Sequence, residues 1–160
     1  MEFWKGSVEI MKGLRKVKEN IWTPWAMGKW IIVPTNGFIK KNGEAVMGRG
    51  VAKQAKIRFP LLPAELGRKL QEFGKEHIYL FHQYHLITFP VKEAWYMNAD
   101  LHIIEKSLQE LIKLNFDELP TPIYLPKVGC GNGKLNWKDV EPLLEKYLDT
   151  RFVVCDLTCE

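Results

Sequence analysis

Short apolar runs rich in β-branched residues alternate with helical patterns along most of this 160-residue chain, and this alternation constrains the fold more than any other feature. The run "WIIVPT" begins at Trp30 and predicts a buried strand whose regular pairing ends near Pro34. Apolar residues then recur at helical spacing from Val51 to Phe59. A second helical pattern runs from about Leu62 to Phe73 and stops at Gly74.

The second half of the chain repeats the alternation. "HIYLFHQYHLITFP" predicts two adjoining strands or a hairpin, and "NADLHIIEKSLQELIKL" predicts a helix with Asn98 as its N-cap. "TPIYLPKVG" predicts a strand, "WKDVEPLLEKYL" a helix and "RFVVCDL" a last strand. Strands that alternate with helices predict an α/β fold, here a three-layer α/β/α sandwich with a largely parallel or mixed central sheet. We expect a single domain over residues 1–160, because the chain is too short for two well-packed cores.

The composition allows an anionic partner and argues against export. A formal net charge of +4 permits contact with phosphate but falls short of the dense basic stripe of a dedicated duplex binder. The cysteines, Cys130, Cys155 and Cys159, form neither an even disulfide framework nor a C-x-x-C pair, which favours a reducing, cytoplasmic setting. No apolar run is long enough to span a membrane. His82 and His85 would face opposite sides of a strand, so no metal site is predicted.

Two glycine-bearing loops follow predicted strands. "NGEAVMGRG" lies between the "WIIVPT" strand and the next helix, and "GCGNGKLNW" lies between "IYLPKV" and the last helix. Ligands of α/β sheets bind beyond the carboxyl ends of the strands, where glycines let backbone N–H groups approach a phosphate. The pair of loops therefore predicts a ligand with two phosphates held from both sides. Either loop alone is explained equally well as a simple turn.

Neither loop matches the commoner phosphate-binding motifs. The second loop has Leu135 where a Walker motif needs Ser or Thr, and the first has Lys53 at the third glycine position of a dinucleotide fingerprint. These mismatches disfavour a nucleotide triphosphatase and a Rossmann dehydrogenase.

Four segments in this order carry a family resemblance: "PTNG", "NGEAVMGRGVAKQAK", "TFPVKEAW" and "LPKVGCGNGKLNWKDV". Together they resemble the macro domain, an ADP-ribose-binding fold, over residues 19–156. Within that superfamily the chain is similar to the branch with DNA ADP-ribosyl glycohydrolase antitoxins, terminal ADP-ribose protein glycohydrolases and phage or yeast-type ADP-ribose 1″-phosphate phosphatases.

The resemblance implies that the first loop wraps one side of the ligand diphosphate and that the second closes over its other side and the distal ribose. Asn20 aligns with an acidic residue that accepts from the adenine amino group; an amide oxygen can also accept, and a plain turn residue is the alternative. The ligand-binding residues implied in this way are Asn20, Ile21, Thr35, Gly37, Met47, Gly48, Arg49, Gly50, Val51, Gly129, Cys130, Gly131, Asn132 and Gly133.

The resemblance also implies two catalytic residues at the distal ribose, Asn36 and Lys92. The Asn36 amide would contact sugar hydroxyls, although Asn-Gly is also a common turn. Lys92 aligns with a lysine near the anomeric carbon that could act as a nucleophile or as a stabilising cation; a surface lysine is the alternative. Gly133 replaces an aspartate of the terminal protein glycohydrolases, which favours the DNA-directed and phosphatase-like branches.

These features predict an ADP-ribose-binding domain that hydrolyses the substituent at the 1″ position. The substrate would be ADP-ribosylated nucleic acid, ADP-ribosylated protein or ADP-ribose 1″-phosphate, without a cofactor, and we expect a monomer. A non-catalytic ADP-ribose reader is the main alternative. A nucleic-acid-binding domain is a third, suggested by the basic run Lys12, Arg15, Lys16 and Lys18.

Overall fold

The computed structural model describes residues 8–11 and 13–156, so Lys12 and Cys159 lie outside the described residues. The described strands are β1 (Val8–Met11), β2 (Leu14–Val17), β3 (Ile31–Asn36), β4 (Tyr79–Phe81), β5 (Leu86–Lys92), β6 (Ile123–Leu125) and β7 (Phe152–Cys155). The described helices are α1 (Trp22–Ala26), α2 (Gly50–Arg58), α3 (Leu62–Phe73), α4 (Leu101–Leu111) and α5 (Trp137–Tyr147).

The strands form one sheet in the order β1-β2-β7-β6-β3-β5-β4. The strands β2, β7, β6, β3 and β5 pair in parallel, whereas β1 on β2 and β4 on β5 pair antiparallel at the two edges. The central strands are short and apolar because both of their faces are covered. The mixed sheet predicted from the sequence is confirmed.

Helices cover both faces of the sheet. On β3, Ile32 packs with residues of α4 and α5, whereas Ile31 and Val33 pack with residues of α1, α2 and α3. This split follows from the alternation of side chains along a strand. The result is two core clusters separated by the sheet, which confirms the three-layer α/β/α sandwich.

Several elements match their predicted bounds, and two local predictions were wrong. The N-cap of α4 is Asp100, whose carboxylate accepts from the His102 backbone N–H at 2.7 Å, and not Asn98. His82 and His85 lie in the turn between β4 and β5, and both imidazoles pack against the Trp30 ring with centroid distances of 5.1 and 5.4 Å. They therefore share one packing partner instead of facing opposite sides of a strand.

Within the part of the chain that the structure describes, no helix is long and apolar enough to cross a bilayer. The same residues contain no cluster of three or more His, Cys, Asp or Glu side chains that could hold a metal ion.

Candidate ligand-binding site

A cavity of about 480 Å³ opens at the carboxyl ends of β3 and β5. Its volume lies within the range of small-molecule sites in proteins. The two glycine loops and the segment 95–98 complete its lining. Parallel strands end at the same edge of a sheet, so segments far apart in sequence meet there. The site predicted from the two loops thus corresponds to a single cavity.

The register of the central strands places the two predicted catalytic residues side by side. A shift in pairing between Thr35 and Asn36 brings Asn36 opposite Lys92. Both residues end their strands and both line the cavity. The structure therefore brings together the pair that the family resemblance implied.

The first glycine loop leads directly into the N-terminus of α2. Arg49 is the N-cap residue, yet its side chain makes no capping hydrogen bond and the first turn contains no acidic residue. Gly50 and Val51 line the cavity, and the N–H groups of a first helical turn have no intrahelical acceptor. The uncapped N-terminus is suited to an anion because its N–H groups and helix dipole both favour negative charge.

The second glycine loop is folded by hydrogen bonds to its carbonyl groups. The Leu135 N–H donates to Gly129 O at 2.9 Å, and the Ala99 N–H donates to Gly133 O at 2.9 Å. In the described part of the chain, the N–H groups of Gly131, Asn132 and Gly133 donate to no protein acceptor. These three residues line the cavity, so their amides are available to a ligand.

One side-chain contact joins the two loops. The Arg49 guanidinium donates through Nη1 to Asn132 Oδ1 at 3.3 Å. The close approach continues at Gly50, which has a φ of +58° and where a Cβ atom would lie 3.7 Å from Asn132 Nδ2. The loops therefore face one another across the cavity at contact distance.

The lining of the cavity is cationic. Arg49, Lys92, Lys127 and Lys134 line it, and no Asp or Glu is among the described lining residues. Lys127 is neutralised by Asp156, whose Oδ1 lies 2.9 Å from its Nζ. The remaining positive charge complements a phosphorylated ligand.

Lys92 has an unusual environment for a lysine. Burial lowers its pKa, and the nearby positive charges of Arg49 and Lys134 lower that pKa further. Its Nζ donates to the backbone oxygen of Trp95 at 3.3 Å. A lowered pKa increases the fraction of the neutral amine, which is the nucleophilic form.

The Asn36 amide is largely occupied by protein contacts. Its Oδ1 accepts from the Phe38 N–H at 2.9 Å, and its Nδ2 donates to Val46 O at 3.2 Å. Only one N–H of this 8% exposed residue remains available to a ligand. Asn36 therefore fixes the position of the first glycine loop in addition to bordering the cavity.

Some predicted ligand-binding residues do not line the cavity: Asn20, Ile21, Gly37, Met47 and Cys130. Ile21 and Met47 are buried in the core, and Asn20 Oδ1 accepts from the Trp22 N–H at 2.9 Å in a turn that leads into α1. The turn that the sequence allowed for Asn20 is thus formed. Ligand contact by these five residues stays a prediction.

Sequence reasoning missed the aromatic part of the cavity lining. Trp95, Tyr96 and Met97 line the cavity next to Lys92. Trp95 ends the "TFPVKEAW" segment of the family resemblance but was assigned no role, and Tyr96 and Met97 follow it without a helical or strand period.

Gly133 has no room for a side chain. A Cβ atom there would lie 2.5 Å from Gly129 O and 2.6 Å from Ala99 Cβ. Real Cβ atoms essentially never approach so closely, so an aspartate at this position would require the loop to move. The steric constraint accounts for the glycine that departs from the protein glycohydrolase pattern.

The fold and the cavity define an α/β/α domain with a cleft lined by cationic side chains at the carboxyl ends of its strands. No protein-family profile matches the chain. Curated relatives include a DNA ADP-ribosyl transferase-DNA ADP-ribosyl glycohydrolase fusion protein from Thermosipho africanus, 29% identical over 133 residues and 69% of this chain. A DNA ADP-ribosyl glycohydrolase from Mycobacterium tuberculosis is 32% identical over 111 residues and 64% of this chain. The matched regions span 34% and 32% of these relatives, about a third of their length.

Solved structures have the same fold. The macrodomain of Thermus aquaticus DarG matches with a TM-score of 0.70 at 24% identity, covering 89% of this chain and 97% of that one. Thermosipho africanus DarTG in complex with ADP-ribose matches with a TM-score of 0.73 at 24% identity, covering 93% of this chain and 43% of that one. The chain has the fold of these macrodomains, and its sequence is similar to those of DNA ADP-ribosyl glycohydrolases, which agrees with the resemblance read from its sequence.

Proposed function

We propose that this chain binds ADP-ribose in the cavity and hydrolyses the bond at C1″ of the distal ribose, with ADP-ribosylated DNA as the substrate. The observation that carries the proposal is the meeting of two glycine loops with Lys92, a lysine of lowered pKa, in one cationic cavity. The names of the curated relatives support the DNA-directed activity over the phosphatase and protein-directed alternatives.

The loops supply the binding part of the proposal. Five backbone N–H groups, those of Gly50 and Val51 in α2 and of residues 131–133, border the cavity without intramolecular acceptors in the described structure. Two groups of N–H donors on opposite walls match a diphosphate, whose two phosphates each present several acceptor oxygens. The diphosphate would lie between the loops, with the distal ribose directed towards Asn36 and Lys92.

Lys92 supplies the chemistry. Its neutral amine attacks C1″ and forms a C–N bond while the bond from C1″ to the nucleobase breaks; the resulting secondary ammonium releases a proton to solvent and the departing base takes one up. Water then hydrolyses the lysine adduct, which releases ADP-ribose and restores the amine. We favour the nucleophile over the purely electrostatic role because the described lining contains no carboxylate that could activate water for direct attack.

The test compares binding with turnover in the same proteins. Calorimetry measures ADP-ribose affinity, and chromatography measures ADP-ribose released from an ADP-ribosylated oligonucleotide. The Lys92→Ala variant should bind ADP-ribose and lose about 100-fold or more of its turnover. Lys113→Ala, which changes an exposed lysine beyond α4, serves as the matched control. Mass spectrometry of quenched wild-type reactions should find an ADP-ribosyl group on Lys92.

The outcomes separate the alternatives. ADP-ribose binding without turnover of the oligonucleotide, of ADP-ribosylated protein or of ADP-ribose 1″-phosphate would identify a reader and overturn the enzymatic proposal. Turnover of ADP-ribose 1″-phosphate alone would identify a phosphatase. Absence of ADP-ribose binding would overturn the entire proposal.

A further inference from the structure

Three consecutive large apolar side chains are exposed at the mouth of the cavity. Trp95 is 53% exposed, Tyr96 65% and Met97 43%. Exposed apolar clusters are unusual on a soluble domain and mark places where something binds. All three residues line the cavity on the side of Lys92, so this surface is continuous with the proposed reaction site.

The segment that carries the two aromatic rings lies next to both predicted catalytic residues. The Trp95 carbonyl accepts from Lys92 Nζ, and the Trp95 and Tyr96 rings meet edge to face with centroids 5.4 Å apart. Tyr96 in turn meets the Phe38 ring at 6.2 Å, and the Phe38 N–H donates to Asn36. The aromatic segment therefore lies beside the end of the cavity where the bond at C1″ would break.

Backbone hydrogen bonds hold the aromatic segment at both ends. The Met97 N–H donates to Ala94 O at 3.1 Å in a turn. After the turn, the Ala99 N–H donates to Gly133 O and the Asp100 N–H donates to Val91 O, each at 2.9 Å. A surface that is held in position before binding loses less conformational entropy when a ligand arrives.

We propose that Trp95 and Tyr96 form a stacking platform for the nucleobase joined to C1″, an inference that rests on the proposed function. A nucleobase presents a flat π-face to an aromatic ring, whereas an ADP-ribosylated serine or carboxylate side chain or a 1″-phosphate presents none. The platform selects nucleic-acid substrates by shape at the leaving group, and the loops bind the ADP-ribose common to all substrates.

The charges beside the platform fit the same occupant. Lys92 and Lys134 border the cavity near it, and the described lining offers no carboxylate that would repel a phosphodiester backbone. Tryptophan and tyrosine rings near cationic side chains are the usual composition of surfaces that bind unpaired nucleotides.

The test replaces the two rings and measures turnover of an ADP-ribosylated oligonucleotide and affinity for free ADP-ribose. The Trp95→Ala/Tyr96→Ala double variant should lose about tenfold or more of kcat/KM on an ADP-ribosylated oligonucleotide, while its calorimetric affinity for free ADP-ribose stays within about threefold. The Trp95→Phe/Tyr96→Phe double variant keeps flat rings and should restore most of the activity. Phe73→Ala, which removes an exposed ring at the end of α3, is the control.

A binding measurement in the Lys92→Ala background complements the kinetics. There the ADP-ribosylated oligonucleotide should bind more tightly than free ADP-ribose, and the alanine substitutions at positions 95 and 96 should remove most of the difference. This comparison requires no turnover.

Each result supports or overturns the platform. Equal kcat/KM in wild type and the alanine double variant would overturn it, as would a parallel loss of affinity for free ADP-ribose. Failure of the phenylalanine variant to restore activity would also overturn it, because the rings would then act through other contacts. If the wild-type protein neither binds ADP-ribose nor turns over the oligonucleotide, the proposed function is overturned. That outcome is distinct from failure of the platform, which requires a wild-type protein that is active.

Discussion

The Arg49 guanidinium and the Asn132 side-chain oxygen form a 3.3 Å hydrogen bond between residues 83 positions apart in the chain. It joins the N-cap residue of α2 to the second glycine loop, across the two walls that would hold the diphosphate. We therefore expect this side-chain contact, together with the sheet, to hold the proposed ligand-binding amides at their spacing.

Removing this contact should weaken ligand binding with little effect on folding. We expect Asn132→Ala to lower ADP-ribose affinity by about three- to tenfold, because one hydrogen bond contributes about 0.5–1.5 kcal/mol. Asn132 is exposed, so the melting temperature should change little. Calorimetry and thermal unfolding measure the two effects, with Asn115→Ala as a remote control. Unchanged affinity would contradict the role assigned to the bridge.

Two glycines of the second loop should respond differently to alanine. Gly133→Ala forces a Cβ atom against Gly129 O and should lower the free energy of unfolding by about 1–3 kcal/mol. A Cβ atom at Gly131 would meet no atom within 4 Å. Gly131→Ala should therefore change the free energy of unfolding by less than about 0.5 kcal/mol. Denaturant unfolding of the pair checks the difference, and equal stabilities would show that the loop adjusts freely.

The lowered pKa of Lys92 predicts a pH-dependent cost to stability. Between the folded-state pKa and the ordinary lysine value, the unfolded chain holds more protons at this site, so stability rises with pH. Below the lowered pKa, Lys92 is charged in both the folded and the unfolded chain, and burial of this charge destabilises the folded state by its full amount. We expect Lys92→Met to melt at a higher temperature than wild type near neutral pH, with the difference shrinking at alkaline pH. A variant less stable than wild type at neutral pH would contradict the pKa direction.

Turnover should also increase with pH if the neutral Lys92 amine attacks C1″. The rate should rise as pH approaches the lowered pKa of Lys92 and level off above it. Lys92→Arg keeps a positive charge that does not dissociate, and we expect it to be inactive. Single-turnover rates across the pH range provide the measurement. Substantial activity in the arginine variant would favour the electrostatic role over the nucleophilic one.

The N-cap of α4 offers a stability test independent of the ligand. Asp100→Ala removes the carboxylate that accepts from the His102 N–H and should lower the free energy of unfolding by about 0.5–2 kcal/mol. Asp100→Asn should recover most of the loss, because an amide oxygen also caps a helix. Asn98→Ala should lower the free energy of unfolding by less than Asp100→Ala. A larger loss in Asn98→Ala would instead support Asn98 as the N-cap, as predicted from the sequence.

Elements with a strong local signal were predictable from the sequence. The helix α3 matches its predicted range because a regular apolar period and a terminal glycine coincide. The helix α1 was missed because its five residues carry Pro24 and no amphipathic repeat. Asn98 was predicted as the cap of α4 and Asp100 was not considered; both residue types cap helices well, and only the start of the helix distinguishes them.

The site, like the fold, was predictable only in part from the sequence. The glycine loops were predicted from their residue types and positions after strands, whereas Lys92 was predicted from the family resemblance, and the parallel sheet places all three at one cavity. The exposure of Trp95 and Tyr96 could not be foreseen, because the course of this segment is fixed by hydrogen bonds from Ala99 to Gly133 and from Asp100 to Val91. The contact of Asn36 with Val46 likewise depends on how the intervening loop folds back.

The crowding at Gly133 also limits how this cavity could be redesigned. A single Gly133→Asp replacement would not simply add a carboxylate, because the space is filled by the chain's own backbone at Gly129 and by Ala99. An engineer who wants acid–base chemistry here would first have to rebuild the Ala99 segment, or introduce the acid from a neighbouring strand end. Because of this steric limit, the second loop does not accept a larger side chain at position 133. The length of the side chain at position 92 is therefore easier to change.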